Sequence, residues 1–154
     1  EKYNFDWPLL MAMAYQESGL NPKRKSYRGA VGIMQIRPST AKEVGIRDIS
    51  KVENNIHAAV KYLDYLRKRY FNDPKLRPRD RVRFSLAAYN AGPAKVRKAR
   101  NLARRMGLNP ARWFRNVEIA MLRLVGQETV RYVSNINKYY ILYKLAIESG
   151  ELYL

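Results

Sequence analysis

The 154-residue chain predicts one mainly helical domain. Apolar residues recur at three- and four-residue spacings through most of its length, and no segment alternates clearly enough for a strand. Breakers fall at intervals suited to helices, as at Gly19, Asn21-Pro22, Gly45, Gly107 and Asn109-Pro110. A composition 47% hydrophobic and 28% charged is that of a globular protein with one substantial core. No repeat, low-complexity stretch or linker interrupts residues 1–154, so a single domain is expected.

The first helix is expected from Asp6, a good N-cap, to Ser18, with Pro8 in its first turn and Gly19 as its stop. Residues 23–37 read as a basic, glycine-containing loop without regular structure. A short helix over 38–44 follows, with Thr40 and Glu43 at capping-box spacing and Gly45 ending it. The third helix, 52–71, places Ile56, Val60, Leu63, Leu66 and Tyr70 on one stripe. The fourth covers 79–90 and the very basic fifth 94–106, while residues 111–124 hold one short helix or two. The last, 127–149, carries Val130, Val133, Ile136, Tyr140 and Tyr143 at helical spacings.

Thirty Lys and Arg against thirteen Asp and Glu give a formal charge of +17. Residues 67–105 alone hold fourteen basic and two acidic side chains. Such a surface attracts polyanions: nucleic acid, anionic lipid or an acidic cell envelope. The absence of cysteine excludes disulfides, thiol nucleophiles and zinc-thiolate sites, and the single His57 cannot build a multi-histidine metal site. Neither metal nor cofactor is expected. The longest apolar run, 7–15, is too short to span a bilayer and lacks the basic leader and cleavage site of a signal peptide. A chain that starts at Glu1 suggests a processed protein or excised domain, which would put any targeting segment outside it.

The informative anomaly lies in the first helix. Leu9, Met13 and Leu20 project within roughly 40° of one another, Leu10 extends that stripe, and Glu17 falls between Met13 and Leu10. A carboxyl on an apolar face is desolvated, which favours its protonated form and suits a general acid near neutral pH. No basic residue lies within four positions, so no helical ion pair explains it. Taken alone, a helix-end carboxylate that turns to solvent or pairs with a distant arginine is the simpler explanation.

Two further segments add weight. Gly29-Ala30-Val31-Gly32-Ile33-Met34-Gln35 combines glycines, which let a backbone approach a ligand, with an apolar Met34 wall and the Gln35 amide. An ordinary turn with a buried methionine reads equally from those residues. Ala87-Ala88-Tyr89-Asn90-Ala91-Gly92 permits close helix packing and projects a tyrosine and an asparagine beside a glycine stop, or is simply a packed helix end.

Together these segments closely resemble the catalytic domain of bacterial lytic transglycosylases of the goose-lysozyme-like, soluble-lytic-transglycosylase type. The matching stretches are Gln16-Glu17-Ser18 with Asn21-Pro22, Ser26 with Gly29-Ala30, Gly32 to Ile36 with Pro38 and Thr40-Ala41, Ala87 to Gly92, and Glu128-Thr129 with Tyr132-Val133. They stand in the family order from residue 5 to about 145. Phe5-Asp6-Trp7 and Ala14 to Ser18 look most like the module of the membrane-bound lytic transglycosylase F group.

The resemblance implies a lysozyme-like helical domain with a glycan groove, acting on peptidoglycan at the β-1,4 bond between N-acetylmuramic acid and N-acetylglucosamine. Glu17 matches the family's single catalytic glutamate, acid then base, and the product is a 1,6-anhydro ring. Ser26, Met34, Gln35, Tyr89, Asn90 and Tyr132 match substrate-binding positions, with Ser18 and Glu128 supporting; a buried Glu128 held by hydrogen bonds would be structural as readily as substrate-contacting. Tyr27, where the family usually has proline, and Arg37, where an apolar residue often stands, depart from the pattern. The implied partner is the glycan strand and the implied compartment the periplasm or cell envelope, the outer membrane included, with any membrane attachment through regions outside this chain. A monomer is expected, no nucleic acid, and basic helices bordering the groove.

Three other readings remain. A hydrolytic muramidase needs a water held by a second carboxylate, and the candidates Asp48 and Glu53, further along the chain, are poorly placed for that. A basic helical nucleic-acid-binding domain fits the charge but shows no recognisable motif. A domain that only binds murein is at odds with the retained Glu17.

Overall fold

A computed structural model describes residues 3–152. Seven α-helices are present among them: α1 (Trp7–Ser18), α2 (Pro38–Glu43), α3 (Val52–Tyr70), α4 (Pro78–Ala91), α5 (Pro93–Arg105), α6 (Glu118–Val125) and α7 (Gln127–Glu148). The mainly helical class is borne out. Two compact units are distinguished, Glu1–Tyr62 with Asn135–Leu154, and Leu63–Ser134; α3 and α7 each contribute residues to both.

Helix ends follow local chemistry, with instructive exceptions. Asp6 occupies the N-cap position of α1 in extended conformation, but its side chain caps nothing. Its carboxylate instead accepts a hydrogen bond from the Tyr140 hydroxyl at 2.8 Å. Helix α2 begins at Pro38 with Arg37 as N-cap, which puts Thr40 inside the first turn. The expected Thr40–Glu43 capping box is therefore absent, because proline at the first helical position makes Arg37 the N-cap, three positions before Thr40. Residues 111–124 resolve into a kink over Trp113–Val117, where Phe114 and Arg115 leave helical geometry, followed by α6.

In the first unit α1 buries Leu9, Ala12, Met13 and Ala14. Leu20, expected on that stripe, is 42% exposed, since the helix has ended and Leu20 adopts a φ of 66°. Tyr15 meets Tyr139 of α7 edge to face, with ring centroids 4.7 Å apart.

In the second unit α5 presents Val96, Ala99 and Ala103 to the interior, and its small alanines allow close approach to α4 and α6. Lys95, Arg97, Lys98, Arg104 and Arg105 are exposed. Arg100 turns inward: its guanidinium lies 5.1 Å over the Phe84 ring and donates to the Pro110 carbonyl at 2.9 Å. Burial lowers its pKa from the ordinary value, with nearby Asp73 opposing. Fully buried Asp80 accepts from the Trp113 backbone N–H at 2.9 Å and from Arg77 Nε at 2.6 Å. That carboxylate fastens the kink to α4, which offsets the cost of its desolvation.

Candidate active site

In the first unit Glu17 occupies the last turn of α1, half-buried, one turn after fully buried Met13. The expected apolar-face position holds. The helix end beneath it is fixed by Ser18, whose hydroxyl lies 2.8 Å from the Ile33 carbonyl and 3.1 Å from that of Ala14, and accepts from the Asn21 N–H at 3.1 Å. Gly19 closes the helix in left-handed conformation, donating to the Tyr15 carbonyl at 2.8 Å. One buried side chain thus joins the glutamate's helix to the glycine loop.

That loop is more ordered than its sequence suggests. Val31 and Ile36 exchange both backbone hydrogen bonds, at 3.0 and 3.1 Å, and Val31 also bridges to Lys25. Gln35 sits inside this small loop with φ at 48°, and its Nε2 donates to the carbonyls of Arg24 at 2.9 Å and Gly32 at 2.8 Å. Both amide protons are thereby used for bracing, and Oε1 is the atom left to accept from a ligand. Ser26, half-buried, accepts from the Ala30 N–H at 3.1 Å and keeps its own hydroxyl proton to donate.

Asn55 of α3, which the sequence reading passed over, organises the loop from below. It is 1% exposed; Oδ1 accepts from the Met34 N–H at 2.9 Å, and Nδ2 donates to the carbonyls of Val31 at 2.9 Å and Ile49 at 3.0 Å. An asparagine four positions before Ala59 and eight before Leu63, both fully buried, was the available signal. Met34 is itself only 1% exposed. It is a core side chain beneath the loop and forms no surface wall.

In the second unit Tyr89 and Asn90 are half-buried near the end of α4, after buried Ala87 and Ala88. Asn90 Oδ1 accepts from the hydroxyl of Thr129 at 2.7 Å. Thr129 is 3% exposed, whereas Glu128 is exposed. The expected buried Glu128 is corrected: at the start of α7 the register turns Thr129 inward and Glu128 outward. Tyr132, one turn on, is 3% exposed, so its ring belongs to the interior and offers little surface to a sugar. Asp48 and Glu53 are both exposed, and Asp48 is engaged by Ser50 and Lys51. Among the described residues no three His, Asp or Glu side chains converge.

Fold and site together define a lysozyme-like helical domain that carries a half-buried glutamate at a helix end, tied to a glycine loop. The Transglycosylase SLT domain family matches residues 1–109, and the chain belongs to that family. It is 38% identical, over 94% of its length, to the membrane-bound lytic murein transglycosylase F of Desulfosudis oleivorans, and 37% identical, over 88%, to that of Pseudoalteromonas translucida. The chain spans about a third of these relatives, 34% and 31% of their lengths. Among solved structures it resembles the 70 kDa soluble lytic transglycosylase of Escherichia coli, with TM-score 0.69 and 30% identity over 95% of this chain and 23% of that one. An inactive mutant of lytic transglycosylase Slt from Pseudomonas aeruginosa superposes with TM-score 0.69 and 25% identity, over 96% of this chain and 23% of that one. Among the described residues no helix is long and apolar enough to cross a membrane.

Proposed function

We propose that this domain cleaves peptidoglycan as a lytic transglycosylase, with Glu17 as the single acid and base. The observation that carries the reading is the placement of Glu17: half-buried on the interior side of α1, at a helix end fixed by Ser18. Protonated Glu17 gives its proton to the glycosidic oxygen as the bond from muramic acid C1 breaks, with the substrate's N-acetyl group assisting. The resulting carboxylate then takes the proton of the same sugar's 6-hydroxyl, whose oxygen bonds to C1. Glu17 ends protonated and the product is a 1,6-anhydro ring. Because the nucleophile is part of the substrate, its effective concentration is high and no second carboxylate is required to hold water.

Ser26, with its hydroxyl proton, and Gln35, with Oε1, are the sugar-contacting groups of the first unit. Taken by itself, the second unit offers Asn90, oriented by Thr129, and Tyr89 as glycan-contacting groups. Met34 and Tyr132 act by packing, consistent with their burial. The domain works in the cell envelope, and the cationic segment 67–105 draws in murein carboxylates, an attraction that salt weakens.

Mass spectrometry of digested murein tests the reading. Anhydro products are expected; products heavier by one water would identify a hydrolase instead. Glu17→Gln is expected to abolish turnover while glycan binding persists, and cleavage by that variant at the wild-type rate would remove Glu17 from its role.

A further inference from the structure

Between Ser18 and Lys42 the chain carries six basic residues and no acidic one: Lys23, Arg24, Lys25, Arg28, Arg37 and Lys42. This cationic stretch is separate from residues 67–105 and begins directly after Glu17. Its tip is the turn from Ser26 to Ala30. Three hydrogen bonds close that turn: Ser26 N–H to the Ala30 carbonyl at 2.9 Å, Gly29 N–H to the Ser26 carbonyl at 3.0 Å, and Ala30 N–H to Ser26 Oγ at 3.1 Å. Its base is held by the Lys25–Val31 bridge and by Gln35 on the Arg24 carbonyl.

On this braced turn Tyr27 is 93% exposed, whereas the other exposed large apolar side chains among the described residues reach at most 57%. Arg28 stands beside it, with its guanidinium carbon 5.6 Å from the ring centroid and Nε donating to the phenol oxygen at 3.3 Å. A phenol this exposed adds almost nothing to the core. Both groups instead face outward at a fixed position, in the same turn as Ser26. An aromatic ring presents a flat apolar face suited to a sugar ring, and a guanidinium matches a carboxylate in a planar, two-pronged geometry.

We infer that the Tyr27–Arg28 tip is an accessory murein subsite: Tyr27 packs on a sugar face and Arg28 pairs with a carboxylate of the peptide stem. The inference rests on the murein reading of Glu17 and extends it to substrate choice. An anionic lipid surface is the lesser fit, because insertion calls for an apolar face, and the side chains flanking Tyr27 in the turn are Ser26 and Arg28.

The test compares the full chain with Tyr27→Ala and Arg28→Gln, on glycan strands with intact stems and on strands whose stems an amidase has removed. Arg28→Gln is expected to raise the ratio of KM on stem-bearing strands to KM on stripped strands about tenfold, the loss of one charged hydrogen bond. Tyr27→Ala is expected to raise both KM values together, with kcat little changed. Tyr27→Phe should restore most of its loss, and Arg28→Lys only part of its own, because an ammonium keeps the charge without the two-pronged geometry. An unchanged KM ratio in Arg28→Gln, or unchanged KM values in Tyr27→Ala, overturns the inference. So does a loss of binding to phosphatidylglycerol vesicles with murein kinetics intact, which would assign the tip to a membrane surface. A wild-type chain that releases no anhydro product from either substrate would overturn the underlying murein reading, a failure visible without any variant.

Discussion

Gly32 lies so close to the side-chain amide of Asn55 that any β-carbon at position 32 would overlap it. The same glycine has φ at 83°, a region that side-chain-bearing residues rarely adopt. Gly32→Ala is therefore expected to cost about 3 kcal/mol or more, combining backbone strain with a forced shift of Asn55. Gly29, with φ at 88°, has nothing within 4 Å of the equivalent carbon. Gly29→Ala should cost only about 1 kcal/mol. Urea unfolding of the two variants measures the contrast, and equal losses would mean that the Asn55 amide yields freely.

Asn55 makes three hydrogen bonds to backbone groups around the loop. Asn55→Ala should destabilise the protein by about 3 kcal/mol, since Met34 N–H loses its partner in a buried setting. Asn55→Asp retains that acceptor but withdraws two donors and introduces a charge, so it should be no better tolerated. Denaturant midpoints check both, and a stable Asn55→Ala protein would show that the loop supports itself.

Thr129 and Glu128 separate a buried positioning role from an exposed neighbour. Thr129→Val keeps the shape and removes the hydroxyl that holds Asn90 at 2.7 Å. On the murein reading, kcat/KM should fall roughly five- to tenfold, about 1 kcal/mol, with little change in melting temperature. Glu128→Ala should stay within about twofold of wild type, because surface changes away from such features are nearly neutral. Steady-state kinetics on isolated glycan strands decide, and the opposite ranking would return the role to Glu128.

How much of this was legible in the chain depended on range. Gly19 and Pro38 mark helix ends through their own backbone preferences, so those ends could be read directly. The Thr40–Glu43 spacing misled because Pro38 fixed the start of α2 first. Periodicity placed Glu17 on the interior side of α1, but it gives direction without depth. Depth depends on what other segments cover, and for that reason Met34 and Tyr132, both expected at the substrate, lie in the interior. The roles of Asn55 and Thr129 were not legible for the complementary reason: each is an ordinary polar residue that acts on distant segments, Asn55 on Met34 and Val31, 21 and 24 positions away, and Thr129 on Asn90, 39 positions away.

Tyr140 gives the protein an alkaline sensitivity. Partial burial, then the hydrogen bond to Asp6, raises its pKa above the ordinary phenol value, and Tyr140 in turn raises that of Lys144. A group raised on folding contributes stability that is complete below its unfolded value and lost as pH climbs through the folded one. Wild type should thus lose stability more steeply than Tyr140→Phe above pH about 10, the phenol value. At pH 7 the variant should be weaker by about 0.5 kcal/mol, a small figure because the bond is exposed to water. Urea midpoints at neutral and alkaline pH should converge, and parallel curves would exclude the phenol as the source.

Gly92, with φ at 91° and ψ at 148°, is at once the last cap of α4 and the first of α5, and Pro93 opens the second helix. Surface connections are where lineages accept added or lost residues most easily. This joint offers no such slack: one inserted residue would swing the Val96, Ala99 and Ala103 strip about 100° around its axis, out of register with α4 and α6. Length variation in descendants of this sequence should therefore be purged at the α4–α5 joint. Diversity there has to come from substitution alone.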